Sequence, residues 1–212
     1  MYRVMVFIDY QNFNINLHKH YEGKTFKPIN YSALGKAICS KIPVTAEVIK
    51  TYLFAFKPCD ELLKIERFSK YYTWLNSLKK TPYLEIIEGR QELRTLKGIS
   101  LDLTNPDTYY TEEKETDINL ATHMLAKGFQ NAYDIAILVS GDTDYIKVVE
   151  TLHNIGKTVV IAHFSHQNVS KYDEICDANI VLYDNVLNKA VNKSFKEKNT
   201  KEIVQDEEDV TN

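Results

Sequence analysis

Few cysteines, no long apolar run and no strong net charge mark this 212-residue chain. Cys39, Cys59 and Cys176 are odd in number and far apart. They form neither a disulfide framework nor a metal clasp, so a reducing cytoplasm is the expected compartment. No apolar stretch approaches the roughly 20 residues that a membrane-spanning helix needs, and no membrane association is expected. The N-terminus lacks the basic-then-apolar form of a secretory signal, because the first apolar run meets an acid at Asp9. His18, His20, His153, His163 and His166 are scattered, and no Ser-His-Asp or Cys-His arrangement stands out. The net charge of −3 resides in the tail: residues 196–212 hold three lysines and six acids, and the body from 1 to 195 is balanced. Overall charge therefore neither requires nor excludes a nucleic-acid partner.

What is present is an alternation of apolar strands and amphipathic helices. The chain is long enough for one full-core domain, expected over 1–195, followed by an acidic, disordered tail over 196–212. Strands are predicted at Arg3–Ile8, Ala46–Phe56, Leu84–Ile87, 134–139, Thr158–Phe164 and Ile180–Tyr183. Asn30 is placed to cap a helix over Tyr31–Lys41, and a further helix is predicted from Asp60 to about Lys80. Residues 14–27 lack clear periodicity and read as a loop or broken helix. The segment 89–111, with Gly89, Gly98 and Pro106, reads as a hairpin or lid. Thr111-Glu112-Glu113 has the chemistry of a helix start, with the helix running to about Lys127. Helices are also expected over 143–154, near 168–176 and from about 185. The pattern predicts a three-layer Rossmann-like α/β fold around a mainly parallel sheet.

Two of the strands end in acids. The run Ile135–Val139 stops at Ser140-Gly141 and delivers Asp142 and Asp144; Val4–Ile8 runs into Asp9 and then Asn12. In open α/β sheets, ligands bind beyond the carboxyl ends of strands, where strand order reverses. A third segment contributes Asp117, which falls on one helical stripe with Leu120, Ala121, Met124 and Gly128 and is expected to point coreward. Each acid has a plainer reading: Asp9 and Asp142 can cap the helices that follow them, and Asp117 can pair with a base. Capping alone does not account for three segments bringing acids to one sheet edge. An all-oxygen set without nearby Cys or His favours Mg²⁺ or Mn²⁺ over Zn²⁺, and such sites serve phosphoryl chemistry. Asn12 and Ser140 are expected to orient water or substrate, and Lys114, one turn before Asp117, to meet a phosphate oxygen.

These residues resemble the NYN-domain branch of the PIN-like ribonucleases, and within it the LabA-like proteins. The matching elements are Val6-Phe-Ile-Asp-Tyr-Gln-Asn12, Lys114-Glu-Thr-Asp-Ile-Asn-Leu120, Leu138-Val-Ser-Gly-Asp-Thr-Asp-Tyr145, and Gly156 before Thr158-Val-Val-Ile161. They span about 160 residues in the expected order. The resemblance implies a PIN-like fold and metal-dependent hydrolysis of RNA phosphodiesters, with Asp9, Asp117, Asp142 and Asp144 as the metal-binding, catalytic acids. Asn12 and Ser140 would be supporting polar groups. The chain departs from its relatives at His123, where they often have another acid.

An RNA-cleaving site needs basic and aromatic groups at its mouth. Arg90, Arg94, Lys97, Tyr109 and Tyr110 of the 89–111 segment are the candidates, guiding a single strand across the acids. The expected partners are single-stranded RNA and a second copy of the chain in a homodimer. A competing reading keeps the fold as a nucleic-acid-binding or regulatory module with little catalysis. A small-molecule phosphohydrolase of the haloacid-dehalogenase kind would need an aspartate at position 11, where this chain has Gln11.

Overall fold

The computed structural model describes residues 1–22 and 24–191; the expected tail over 196–212 lies outside them. The strands are β1 (Tyr2–Asp9), β2 (Ala46–Pro58), β3 (Leu84–Thr95), β4 (Tyr109–Lys114), β5 (Ile135–Val139), β6 (Thr158–His163) and β7 (Ala178–Val181). The helices are α1 (Tyr10–His20), α2 (Tyr31–Cys39), α3 (Glu66–Leu78), α4 (Thr116–Phe129), α5 (Ile146–Asn154) and α6 (Asp184–Leu187). The strands form one sheet in the order β4-β3-β2-β1-β5-β6-β7. All neighbours are parallel except β3 and β4, which form an antiparallel hairpin at one edge.

Burial on both faces explains the near-continuous apolar runs of the central strands. Val4, Val6 and Ile8 of β1 point into one core, with Phe13 and Leu17 of α1, Leu34 and Ile38 of α2, Leu75 of α3 and Leu187 of α6. Met5 and Phe7 point into the other, with Leu120 and Met124 of α4 and Val148, Val149 and Leu152 of α5. Each such side chain contributes about 1.5–3 kcal/mol on leaving water. The three-layer expectation holds. Among the described residues no helix is long and apolar enough to cross a membrane.

The chain runs outward from β1 through β2 to β3 and β4, then returns across the sheet to β5 on the other side of β1. The reversal of strand order therefore falls between β1 and β5, and the carboxyl ends of those strands are Asp9 and Val139. This is where an open α/β sheet presents a crevice.

Five elements differ from the sequence reading. The helix read near 168–176 is only a 3-10 turn, Ser170–Tyr172. A regular helix, α1, begins directly after Asp9 and occupies much of the segment read as irregular. The helix read from Asp60 is a short 3-10 turn, Leu62–Lys64, followed by α3 from Glu66. β3 continues to Thr95, well beyond Ile87. The segment read as the start of the Asp117 helix is strand β4, and α4 begins only at Thr116. Thr111, Glu112 and Glu113 pair across the hairpin with Leu93, Glu92 and Gln91, and that pairing overrides their capping chemistry. Glu115 makes the turn from strand to helix with φ of 74°, a left-handed conformation costly for a residue with a Cβ.

Candidate functional site

Asp9 is the centre of the crevice. It is only 4% exposed, and its two carboxylate oxygens do different work. Oδ1 accepts the Asn12 backbone N–H at 3.0 Å, so the capping reading of Asp9 is realised at the start of α1. Oδ2 accepts the Ser140 hydroxyl at 3.1 Å and lies 3.4 Å from the Tyr145 hydroxyl. Burial pushes the Asp9 carboxyl up to about 6; the Asn12 and Ser140 bonds oppose the rise, and the charges of Asp117 and Asp142 add to it. Capping thus explains one oxygen; the other bonds Ser140 and stands beside the Tyr145 hydroxyl.

Tyr145 links two of them. Its ring is buried in the α4–α5 core, and its hydroxyl donates to Asp117 Oδ1 at 2.8 Å while standing beside Asp9. Burial and the adjacent carboxylates hold that phenol far above its ordinary range. Asp117 itself differs from expectation. The buried stripe of α4 is Thr116, Leu120, Met124 and Gly128, so Asp117 stands at its edge, exposed, with its carboxylate turned to Tyr145.

Asp142 and Asp144 follow the end of β5. Ser140, 2% exposed, accepts the Asp142 backbone N–H at 3.1 Å while donating to Asp9, which locks the strand-end turn onto the central acid. Asp142 caps the 3-10 turn Thr143–Tyr145 by accepting the Asp144 N–H at 3.0 Å. Its side chain is half-buried and acts electrostatically on Asp9, whereas Asp144 is exposed on the outer rim, where both acids face the Tyr172 hydroxyl. Tyr172 in turn donates to the Asp142 carbonyl.

Asn12 is a structural clamp of this turn. Its Oδ1 accepts the Gly141 N–H at 3.2 Å and Gln167 Nε2 at 2.9 Å. The Gly141 donor fixes which end of the amide is oxygen. A Cβ on Gly141 would fall 2.4 Å from Gln167 Nε2, so any other residue here must displace the Gln167 side chain. His166 joins the network through Asn16 Oδ1 at 2.9 Å.

One acid was missed by the sequence reading. Glu113, on β4, is pushed up to about 7 by burial, with Asp9 and Asp117 both adding to the rise; the nearby Thr116 hydroxyl opposes it. Its Oε2 is buried and completes no hydrogen bond. Only the strand alternation of β4 could have signalled this, and that required recognising β4 as a strand.

The candidate basic residues form no ion pair with Asp9, Asp117, Asp142 or Asp144 among the described residues. Arg94 pairs with Glu92 and Glu112, Arg90 with Glu92 and Glu115, and Lys114 with Glu112. Lys114 belongs to β4 rather than to a helical turn before Asp117. Lys97 is exposed in the hairpin loop. Segment 89–115 holds these four bases and six acids, Glu92, Asp102, Asp107, Glu112, Glu113 and Glu115, so the hairpin is not a basic patch. His123 packs against the rings of Phe54 and Tyr52 and bonds the Asn119 carbonyl, with no contact to the acids.

The donor chemistry fits a hard divalent cation. Asp9, Asp117, Asp142 and Glu113 supply oxygen alone, and among the described residues none of them has an ion-pair partner. Among those residues no three His, Cys, Asp or Glu groups converge closely enough to hold an ion as they stand. Mutual repulsion of the carboxylates opposes closer approach.

A mainly parallel seven-stranded sheet with acids beyond its two central strands defines a Rossmann-like α/β protein with an acidic crevice. The NYN domain profile matches residues 3–183, and the chain belongs to the NYN domain family, a nuclease-type family. A crystal structure of a protein of unknown function from Vibrio parahaemolyticus is similar, with a TM-score of 0.56 and 14% identity. The match covers 87% of this chain and 94% of that one, and at such identity it speaks for the fold alone. No curated protein matches the chain.

Proposed function

We propose that this protein is a divalent-metal-dependent ribonuclease of the LabA-like kind, with Mg²⁺ or Mn²⁺ held by Asp9, Asp117 and Asp142. The observation that carries the reading is the buried Asp9 carboxylate, placed at the strand-order reversal, acted on by the charges of two further acids and paired with no cationic side chain among the described residues. A buried acid in that position is costly to keep ionised, and a bound cation offsets the cost. The chemistry such a cation supplies when bound is neutralisation of phosphate charge and acidification of a water.

The chain's own residues have separable tasks. Asn12 N–H and Ser140 fix the Asp9 carboxylate, and Tyr145 sets the orientation of Asp117 against it. Asn12 Nδ2 would offer a donor to a phosphate oxygen. Asp144, exposed on the rim, would accept a proton from the attacking water or hold an outer water. Arg90, Arg94 and Lys114 would meet the strand with Lys97 of the exposed hairpin loop; the exposed ion pairs of the first three are each worth about 0.2–1 kcal/mol, so an incoming phosphate can exchange for them. RNA as substrate rests on the family and on the sequence elements that carry the resemblance.

The test is cleavage of labelled single-stranded RNA by the wild type and by Asp142→Asn, with Mn²⁺ or with chelator. The proposal expects cleavage by the wild type with Mn²⁺ alone. Cleavage that survives the variant or the chelator would reject the metal mechanism. The second reading, a nucleic-acid-binding module with little catalysis, is favoured by the acids' failure to converge on one point. It predicts RNA binding with no cleavage under any of these conditions.

A further inference from the structure

The β3–β4 hairpin sorts its charges by face. Cross-strand partners are Arg90 with Lys114, Gln91 with Glu113, and Glu92 with Glu112, so the strand alternation puts Glu113 and Gln91 on one side and the charged ladder on the other. On the ladder side, Arg90, Glu92, Arg94, Glu112 and Lys114 are joined by ion pairs. On the other side, Glu113 has no ion-pair partner among the described residues, and its Oε2 is sealed from solvent.

Two neutral side chains share that side and the same condition. Gln91 is 8% exposed and Thr116 3%, and Gln91 Oε1 and Thr116 Oγ1 are both buried without a hydrogen-bond partner. Gly89 makes the arrangement possible: a Cβ there would fall 2.4 Å from Thr116 Oγ1 and 2.6 Å from the Lys114 carbonyl. Buried oxygens without a well-formed hydrogen bond cost about 1–3 kcal/mol each, which a fold tolerates where a ligand completes them. The Thr116 hydroxyl can donate toward Glu113, whose carboxyl it lowers, but the Glu113 carboxylate and the Gln91 amide oxygen only accept, so the partner still missing is a cation or a donor. Thr116, beside Glu113, directly precedes Asp117 at the start of α4, and Asp117 is bonded to the Tyr145 hydroxyl that stands beside Asp9; the charges of Asp9 and Asp117 accordingly act on Glu113.

We propose that Glu113 is a further cation-holding residue of this site, with the oxygens of Gln91 and Thr116 as neutral donors beside it. The inference rests on the metal reading above and adds an acid from a fourth segment of the chain. It also assigns the hairpin a purpose: its pairing with β3 is what delivers Glu113 to the crevice.

The test is Mn²⁺ binding to the chelator-treated, full-length protein, read by calorimetry and by the paramagnetic resonance of free Mn²⁺. Glu113→Gln keeps the shape and removes the charge; Glu113→Asp keeps the charge and withdraws it; Glu112→Gln alters the neighbouring acid on the ladder side. Changes to groups that merely support a metal ligand cost about 10–100-fold in affinity, so Glu113→Gln is expected to weaken Mn²⁺ by about tenfold or more. Glu113→Asp should fall between it and the wild type, and Glu112→Gln should match the wild type. Circular dichroism and melting in chelator verify that the variants fold. If the wild type binds Mn²⁺, Asp9→Asn abolishes binding and folded Glu113→Gln binds like the wild type, the assignment of Glu113 is overturned while the metal reading stands. A wild type that binds no Mn²⁺ overturns both.

Discussion

Replacing Asp9 with asparagine should make the metal-free protein more stable at neutral pH while destroying the site. The Asp9 carboxyl is raised to about 6 in the folded state against an ordinary value of 3.8. Between those values the folded chain holds a proton that the unfolded chain has released, so stability falls as pH rises through the window and levels off above about 6. At roughly 1.4 kcal/mol per pH unit, the ionised Asp9 costs up to about 3 kcal/mol there. Asparagine keeps an oxygen for the Asn12 N–H but no longer accepts from the Ser140 hydroxyl, a loss of about 1 kcal/mol. The net gain above pH 6 is about 1–2 kcal/mol, or about 2–8 °C in melting temperature for a chain of this size. Below pH 4 the gain vanishes and only the lost hydrogen bond remains, so the variant should be the less stable protein. The assay is thermal melting in chelator at pH 4 and pH 8, repeated at pH 8 with Mn²⁺. Added Mn²⁺ should raise the wild-type melting temperature and leave the variant unchanged. A variant less stable than the wild type by the same margin at both pH values would refute the claim that Asp9 is a strained carboxylate.

Other changes probe the scaffold and the approach to the site. Gly141→Ala should displace Gln167 from Asn12 Oδ1 and from the Phe164 N–H, costing about 1–3 kcal/mol; urea unfolding should show the loss, and adding Gln167→Ala should reduce the clash part of it. Glu115→Gly relieves a left-handed backbone at the β4–α4 turn and should raise stability by about 1 kcal/mol, less the exposed Arg90 pair, measured by the same unfolding curves. Reversing charge at Arg90, Arg94 and Lys97 together should weaken single-stranded RNA binding and flatten its salt dependence while leaving Mn²⁺ affinity intact; unchanged RNA affinity in a filter-binding titration would remove the hairpin from the substrate path.

Where the fold was legible, the physics was local. β1, β5 and β6 read directly as buried strands because parallel strands covered on both faces need near-continuous apolar runs. Asn30 announced α2 because its side chain caps Ala33 through contacts three residues apart. Asp9, Ser140 and Asp142 were legible as strand-end residues, and the structure joins them through direct hydrogen bonds. What escaped depended on partners distant in sequence. Thr111-Glu112-Glu113 has good capping chemistry, yet it pairs with residues 91–93 and becomes strand. Misreading β4 then hid Glu113, whose burial follows from that pairing, and misplaced Lys114. The spacing of Leu120, Met124 and Gly128 fits a stripe that includes position 117 nearly as well as one that includes 116, and only the turn out of β4 selects Thr116 as the buried residue. α1 was obscured by its polar and aromatic mixture, of which only Phe13, Asn16 and Leu17 are buried.

The central claim is that the carboxylates at the β1–β5 reversal hold a divalent cation. Anomalous diffraction from crystals of the protein grown with Mn²⁺ tests it most directly. The account predicts a Mn²⁺ peak bound by Asp9 with Asp117 or Asp142, absent from crystals of Asp9→Asn. Ordered crystals with no peak in this crevice, or with a peak that persists in the variant, would contradict it.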